Sequence, residues 1–117
     1  MTKSGIRFEI GDVVLVPFPF TDLSQTKRRP VLIISNIAHN LSSDDFVCCG
    51  ITSNLDNKHY SVLLEPSEMT DGAIPVTSRI KFDKIFTLKK SLAVKRLGKV
   101  NSKKINQVRD ALFSLFT

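Results

Sequence analysis

Between Gly11 and Ser35 the chain reads GDVVLVPFPFTDLSQTKRRPVLIIS, two apolar runs separated by a polar stretch. The first run, VVLVPFPF, follows Gly11-Asp12 and closes on Pro17 and Pro19, which marks a strand rich in β-branched residues. TDLSQTK is turn-like. VLIIS forms a second strand led by Pro30, since proline suits the first position of a strand and not its middle. AHNLSSDD then fits a loop or one short helical turn, FVCCGITS a third strand, NLDNK a turn and YSVLLEP a fourth strand. SEMTDGAIP, with Asp71-Gly72, reads as a connector. In SRIKFDKIFTL, Ile80 and Phe82 alternate with Arg79, Lys81 and Asp83 before the phase slips toward Ile85 and Phe86, so two short strands or one bulged strand are expected. Met1 to Ser4 reads as a loose start.

The final segment changes period. NSKKINQVRDALFSLF sets Ile105, Val108, Leu112 and Leu115 at helical spacing, with Ala111 and Phe116 alongside. Asn101 or Ser102 can cap this helix by accepting a bond from an unsatisfied backbone N–H. Many short strands followed by one amphipathic helix predict a mainly β fold, a small antiparallel barrel or curled sheet with the helix packed on it. At 117 residues the chain is read as one domain, residues 1–117.

Composition sharpens this picture in two ways. There are 17 Lys and Arg against 11 Asp and Glu, a formal net charge of +6, which points to an anionic partner such as nucleic acid, an acidic protein or a membrane surface. The only cysteines, Cys48 and Cys49, are adjacent. Neighbours on a strand face opposite ways, so they are read as reduced thiols, one buried and one half-exposed, in a cytoplasmic protein. The longest apolar runs fall far short of a membrane span.

Common enzyme motifs are missing: no CxxC, HExxH, phosphate loop, GxSxG or Rossmann glycine set occurs. His39 and His59 fall in expected loops without Cys or carboxylate at ligand spacing, so neither a metal nor a cofactor is expected. Arg29 is more informative. Pro30 disfavours the helical region for the residue before it and so holds the Arg29 backbone extended. That pre-aims a guanidinium fork at phosphate or carboxylate, unless Arg29 only pairs with Asp12 or Asp22. Thr52 and Ser53 close the third strand, where adjacent hydroxyls bond a phosphate or satisfy the turn. Lys81 and Asp83, at i and i+2, form either an acid–base pair or a surface ion pair. From Arg79 to Lys104 the cations crowd into a run that is either a solvated face or a positive track.

GDVVLVPFPFTD followed by KRRPVLIIS, GITSN and SRIKFDKIFTLKKSL resembles the PemK/MazF toxins of type II toxin–antitoxin systems, in the right order and over nearly the whole chain. The resemblance implies an SH3-like antiparallel β barrel with a C-terminal helix, assembled as a homodimer. It also implies metal-independent cleavage of single-stranded RNA at short sequences, leaving a 2′,3′-cyclic phosphate and a 5′-hydroxyl. A cognate antitoxin with an acidic, disordered segment would block the site. Arg29 falls on the arginine of the family's Arg-Pro motif, Thr52 on its catalytic threonine and Ser53 on the following position. Lys81 and Asp83 match an arginine and an acid that act in the PemK branch, with lysine here in place of arginine.

On this reading the RNA 2′-hydroxyl is the nucleophile. Arg29 stabilises charge at phosphorus and helps protonate the leaving oxygen, and Thr52 bonds the phosphate or orients the 2′-hydroxyl. Asp83 is the candidate base, against which the low proton affinity of an ordinary carboxylate at neutral pH weighs. Lys27, Arg28, Ser53, Arg79 and Lys81 are expected to hold RNA. Two alternatives stand beside this one: a non-catalytic SH3-like module binding nucleic acid or protein, and a gyrase-directed toxin. The latter use a C-terminal tryptophan, and this chain has none.

Overall fold

Both faces of the central strands are covered, which is why their sequences are continuous apolar runs and not clean alternations. The computed structural model describes residues 7–18 and 27–117. Within them, β1 (Asp12–Phe18), β2 (Lys27–Ile33), β3 (Asp45–Thr52), β4 (Ser61–Leu64), β5 (Met69–Gly72), β6 (Ser78–Lys89) and β7 (Lys95–Val100) form one sheet in the order β4-β6-β3-β2-β1-β7-β5. Every pairing is antiparallel. Helices α1 (Ile37–Ser42) and α2 (Ser102–Ser114) and two 3-10 turns, Pro66–Glu68 and Lys90–Leu92, accompany the sheet. The sheet is a half-barrel: β4 and β5 are its two edges and do not pair with each other. No helix among the described residues is long and apolar enough to cross a membrane.

Successive residues of the central strands feed two different cores. Val13, Leu32, Cys49, Ile51 and Ile80 face the core that receives Val108 of α2. Val14, Val16, Val31, Ile33, Phe46 and Cys48 face a second core with Phe8 and Leu88. Cys48 and Cys49 are therefore both fully buried, which corrects the half-exposed reading of one of them. Burial alone pushes the Cys48 thiol up to about 12. Burial, with the neighbouring Cys48 adding to it, pushes Cys49 higher still.

The C-terminal helix forms where its period places it. Asn101 is the cap, its Oδ1 accepting the Lys104 N–H at 2.8 Å. Val108 is buried against the first core, with Ile105, Ala111 and Leu112 partly buried beside it. Burying a side chain such as Val108 contributes about 1.5–3 kcal/mol. The helix stops at Ser114, so Leu115 and Phe116 lie past its end and are exposed rather than part of the apolar stripe. Lys104 occupies a buried position in that stripe. Its Nζ donates to Leu63 O and Gln107 Oε1, each at 2.8 Å, and pairs with Glu68 Oε2 at 2.9 Å.

Several boundaries differ from expectation. β2 begins at Lys27, so Pro30 lies inside the strand. Pairing of β2 with β3 starts only at Val31, and the missing N–H of Pro30 falls where β2 is still an edge. The connector holds β5, and the basic run holds β7; neither strand is expected from the pattern. Gly72 stands opposite Gly98, and a Cβ on Gly72 would come within 2.0 Å of Leu97 O. Only glycine permits that approach, and it erases the strand signature. β6 is a single strand with a bulge: Cys49 pairs with Ile85 and Gly50 with Lys81. Three residues, Phe82 to Lys84, are thus skipped, which accounts for the shift of phase. His39 lies on α1, not in a loop. Met1 to Ser4, Pro19, Asp22 and most of the TDLSQTK turn lie outside the described residues.

Candidate active site

Arg29 is exposed in extended backbone at the start of β2, as the following proline requires. The β2–β3 register runs Ile33↔Cys48, Leu32↔Cys49 and Val31↔Gly50. Continued by two residues, it sets Arg29 across from Thr52, and Thr52 in turn pairs with Arg79. One row along, Val31, Gly50, Lys81 and Ser61 follow each other across four strands. These residues share the face that carries the second core, at the end where its large side chains run out. Gly50 has no side chain there, and a cleft of about 310 Å³ opens above it. Pro30, Val31, Ile51 and Phe86 supply apolar wall, while Arg29, Thr52, Asn57, Lys81 and Lys84 supply polar groups.

The structure thus gathers Arg29, Thr52 and Lys81 in one place. Thr52 Oγ1 accepts the Asn54 N–H at 3.1 Å, so it satisfies the turn and still has its O–H hydrogen to donate. Lys81 is buried to 5% exposure. Its Nζ donates to Asn57 Oδ1 at 3.0 Å and to the His59 carbonyl, and stands 3.8 Å from Asp83. Asp83 itself is exposed and is not part of the cleft lining. Ser53, Lys27 and Arg28 also lie outside the lining and are exposed. Lys27 follows Arg29 on the same face, and Arg28 points to the other. Arg79 is turned away to the loop after β3, with Nε donating to Leu55 O at 2.7 Å and a terminal nitrogen to Ser61 Oγ at 3.3 Å.

The basic run does not form a continuous free track. Besides Arg79 and Lys81, Lys90 donates to Asn40 O at 2.8 Å and Lys99 pairs with Glu9 at 2.7 Å. Arg96 bridges Asp71 and buried Asp12 at 3.1 Å each. Asp71, then Asp12, hold its guanidinium above its ordinary pKa against the opposing effect of burial. Asp12 is therefore the partner of Arg96 and not of Arg29. A larger groove of about 500 Å³ is lined by Arg7, Lys95, Arg96 and Lys99, of which Arg96 and Lys99 are already paired with acids. Asn57, Lys84 and Gly50 are the site residues that pattern reading misses. Each is ordinary in sequence and acquires its place from pairing across strands. Among the described residues, no three of His, Cys, Asp or Glu gather as a metal site.

A family model described as PemK-like, MazF-like toxin of type II toxin–antitoxin system matches residues 9–116. The chain belongs to that family. Among solved structures, this PemK/MazF-family chain is similar to an endoribonuclease from a Mycobacterial species in complex with its cognate antitoxin. The identity is 28% and the TM-score 0.73, covering 92% of this chain and 93% of that one. An endoribonuclease from Mycobacterial species is 27% identical with TM-score 0.73, covering 95% and 92%. MazF from Deinococcus radiodurans shares the fold at 24% identity and TM-score 0.73, covering 95% and 97%. A comparison with curated protein sequences gives no match.

Proposed function

We propose that this chain is the toxin of a type II toxin–antitoxin pair and an endoribonuclease acting on single-stranded RNA. The observation that carries the reading is the meeting of Arg29 and Thr52 in one cleft whose floor is Gly50. Two endoribonucleases share this fold at above-background identity, which supports the same assignment.

In the proposed reaction the RNA 2′-oxygen attacks the adjacent phosphorus and the bond to the 5′-oxygen breaks. The products are a 2′,3′-cyclic phosphate and a 5′-hydroxyl. Negative charge grows on the non-bridging oxygens, and the Arg29 fork meets it at closer range in the transition state than in the ground state. A guanidinium keeps its protons, so the leaving oxygen takes its proton from water in the open cleft. Thr52 donates its O–H to the phosphate. Lys81, a point charge rather than a fork, adds positive potential from beneath. Asp83 acts on Lys81 as a positioning partner, and the proton of the 2′-hydroxyl passes to solvent. Lys27 and Lys84 steer the RNA backbone toward the cleft, and Arg28, on the other face, adds only to the general positive field. The functional unit is a homodimer, and an acidic antitoxin segment competes for the same cations.

Replacement of Arg29 tests this reading. Arg29→Ala should remove about 2.7–4 kcal/mol of transition-state stabilisation, roughly a hundred- to a thousandfold in rate, with the fold unchanged. Wild-type cleavage by that variant would move the reaction away from Arg29, and failure of the wild type itself to cut RNA would return the chain to the class of non-catalytic binding modules.

A further inference from the structure

The loop after β3 is held in one conformation from both sides. It hangs from Thr52 through Asn54, whose Oδ1 accepts the Asp56 N–H at 3.1 Å and whose carbonyl accepts the Asn57 N–H at 3.1 Å. From β6, Arg79 grips the Leu55 carbonyl and Lys81 grips both Asn57 Oδ1 and the His59 carbonyl. Tyr60 ends the loop with φ +53 and accepts the Phe82 N–H at 3.1 Å. Asn57 is thereby fixed as one wall of the cleft that contains Arg29 and Thr52.

The orientation of its amide follows from chemistry. An ammonium has only donors, so the atom facing Lys81 must be the carbonyl oxygen. The amide nitrogen, with two N–H donors, has no partner among the described residues. The part of the Asn57 side chain left unpaired at this wall is therefore a donor, not an acceptor. A nucleobase with a carbonyl at its edge satisfies that donor, whereas an amino group there sets donor against donor and leaves both desolvated.

We propose that Asn57 determines specificity by recognising a keto base, uracil through O4 or guanine through O6, beside the scissile phosphate, and by rejecting cytosine and adenine at that position. This rests on the endoribonuclease reading above. Arg79 and Lys81, in this account, serve recognition by holding Asn57 rather than by gripping RNA themselves.

The test is cleavage of a long mixed-sequence RNA with the ends mapped for the wild type, Asn57→Asp and Asn57→Ala. Wild type should favour U or G over C or A at one position next to the cut by roughly two- to thirteenfold, the value of one hydrogen bond. Asn57→Asp keeps an oxygen on Lys81 but turns an acceptor to the cleft, so the preference should reverse toward A or C. Asn57→Ala should abolish it without reversal. Cleavage by all three with one unchanged preference overturns the role of Asn57 and leaves the endoribonuclease reading standing. Failure of the wild type to cleave any site overturns both.

Discussion

Thr52 Oγ1 accepts the backbone N–H of Asn54 at 3.1 Å, so the hydroxyl facing the cleft also anchors the loop that carries Asn57. Removing it has two effects. Thr52→Val should lose about 0.5–1.5 kcal/mol at the transition state, a two- to thirteenfold fall in kcat/KM. It should also blur base preference, because the loop loses its first tie. Thr52→Ser keeps the hydroxyl and should retain both. Steady-state cleavage with mapped ends measures the pair, and a Thr52→Val enzyme indistinguishable from wild type would remove Thr52 from the site.

Gly50 forms the cleft floor, and a Cβ there would meet only Lys84 Cβ and Phe86 Cε2, each at 3.9 Å. That is ordinary contact. Gly50→Ala should therefore fold normally and gain about 0.4–1 kcal/mol from reduced freedom of the unfolded chain. Gly50→Leu should fold too, but fill the cleft and stop RNA from seating. Thermal melts beside RNA binding separate the two effects; a Gly50→Leu variant that binds and cuts RNA normally would place the reaction elsewhere.

Cys48 and Cys49 lie in different cores on opposite faces of β3, and burial raises both thiols. Thiolate is the reactive form. Iodoacetamide should leave both untouched in the native protein at neutral pH and modify both in denaturant, as counted by intact mass. Rapid native labelling would mean that β3 opens readily.

The Lys104–Glu68 pair ties α2 to the turn between β4 and β5 at 2.9 Å. Burial raises the Glu68 pKa, but the Glu65 backbone N–H and Lys104 outweigh it and leave it below its ordinary value of 4.5. A carboxylate lowered by folding adds stability that is complete above the unfolded value and lost as pH falls through the folded one. The melting temperature should therefore decline as pH drops below about 4.5, and Glu68→Gln should flatten that part of the curve. Lys104→Met should cost about 1–3 kcal/mol at neutral pH by leaving its acceptors unpaired, without changing cleavage. An unaltered acid limb in Glu68→Gln would assign it to other carboxylates.

What pattern reading recovers and what it misses divide along one physical line. The strands around Val13, Val31 and Phe46, the cap at Asn101 and the extended Arg29 depend on local chemistry, so near neighbours in the chain reveal them. Lys81 and Lys104 are different: each is buried because acceptors from distant segments, His59 O and Asn57 for one, Leu63 O and Glu68 for the other, close around its ammonium. A lysine surrounded by charged neighbours reads as solvated until those acceptors are placed. β5 and β7 escape for a related reason, since Gly72 and Gly98 serve each other's close approach and carry no strand signature alone. The role of Asn57 depends on Lys81 and has no local signal at all.

The central claim is that RNA supplies its own nucleophile in the Arg29–Thr52 cleft. The direct measurement uses two short RNAs of one cleavable sequence, identical except for a single 2′-deoxy sugar on the 5′ side of the cut, incubated with purified protein in excess EDTA. The account predicts that the all-ribose strand is cut to a 2′,3′-cyclic phosphate and a 5′-hydroxyl even with EDTA present, because the attacking 2′-oxygen belongs to the RNA itself. It predicts that the deoxy strand survives intact. Equal cutting of both strands, or activity that vanishes in EDTA and returns with added Mg²⁺, would contradict it.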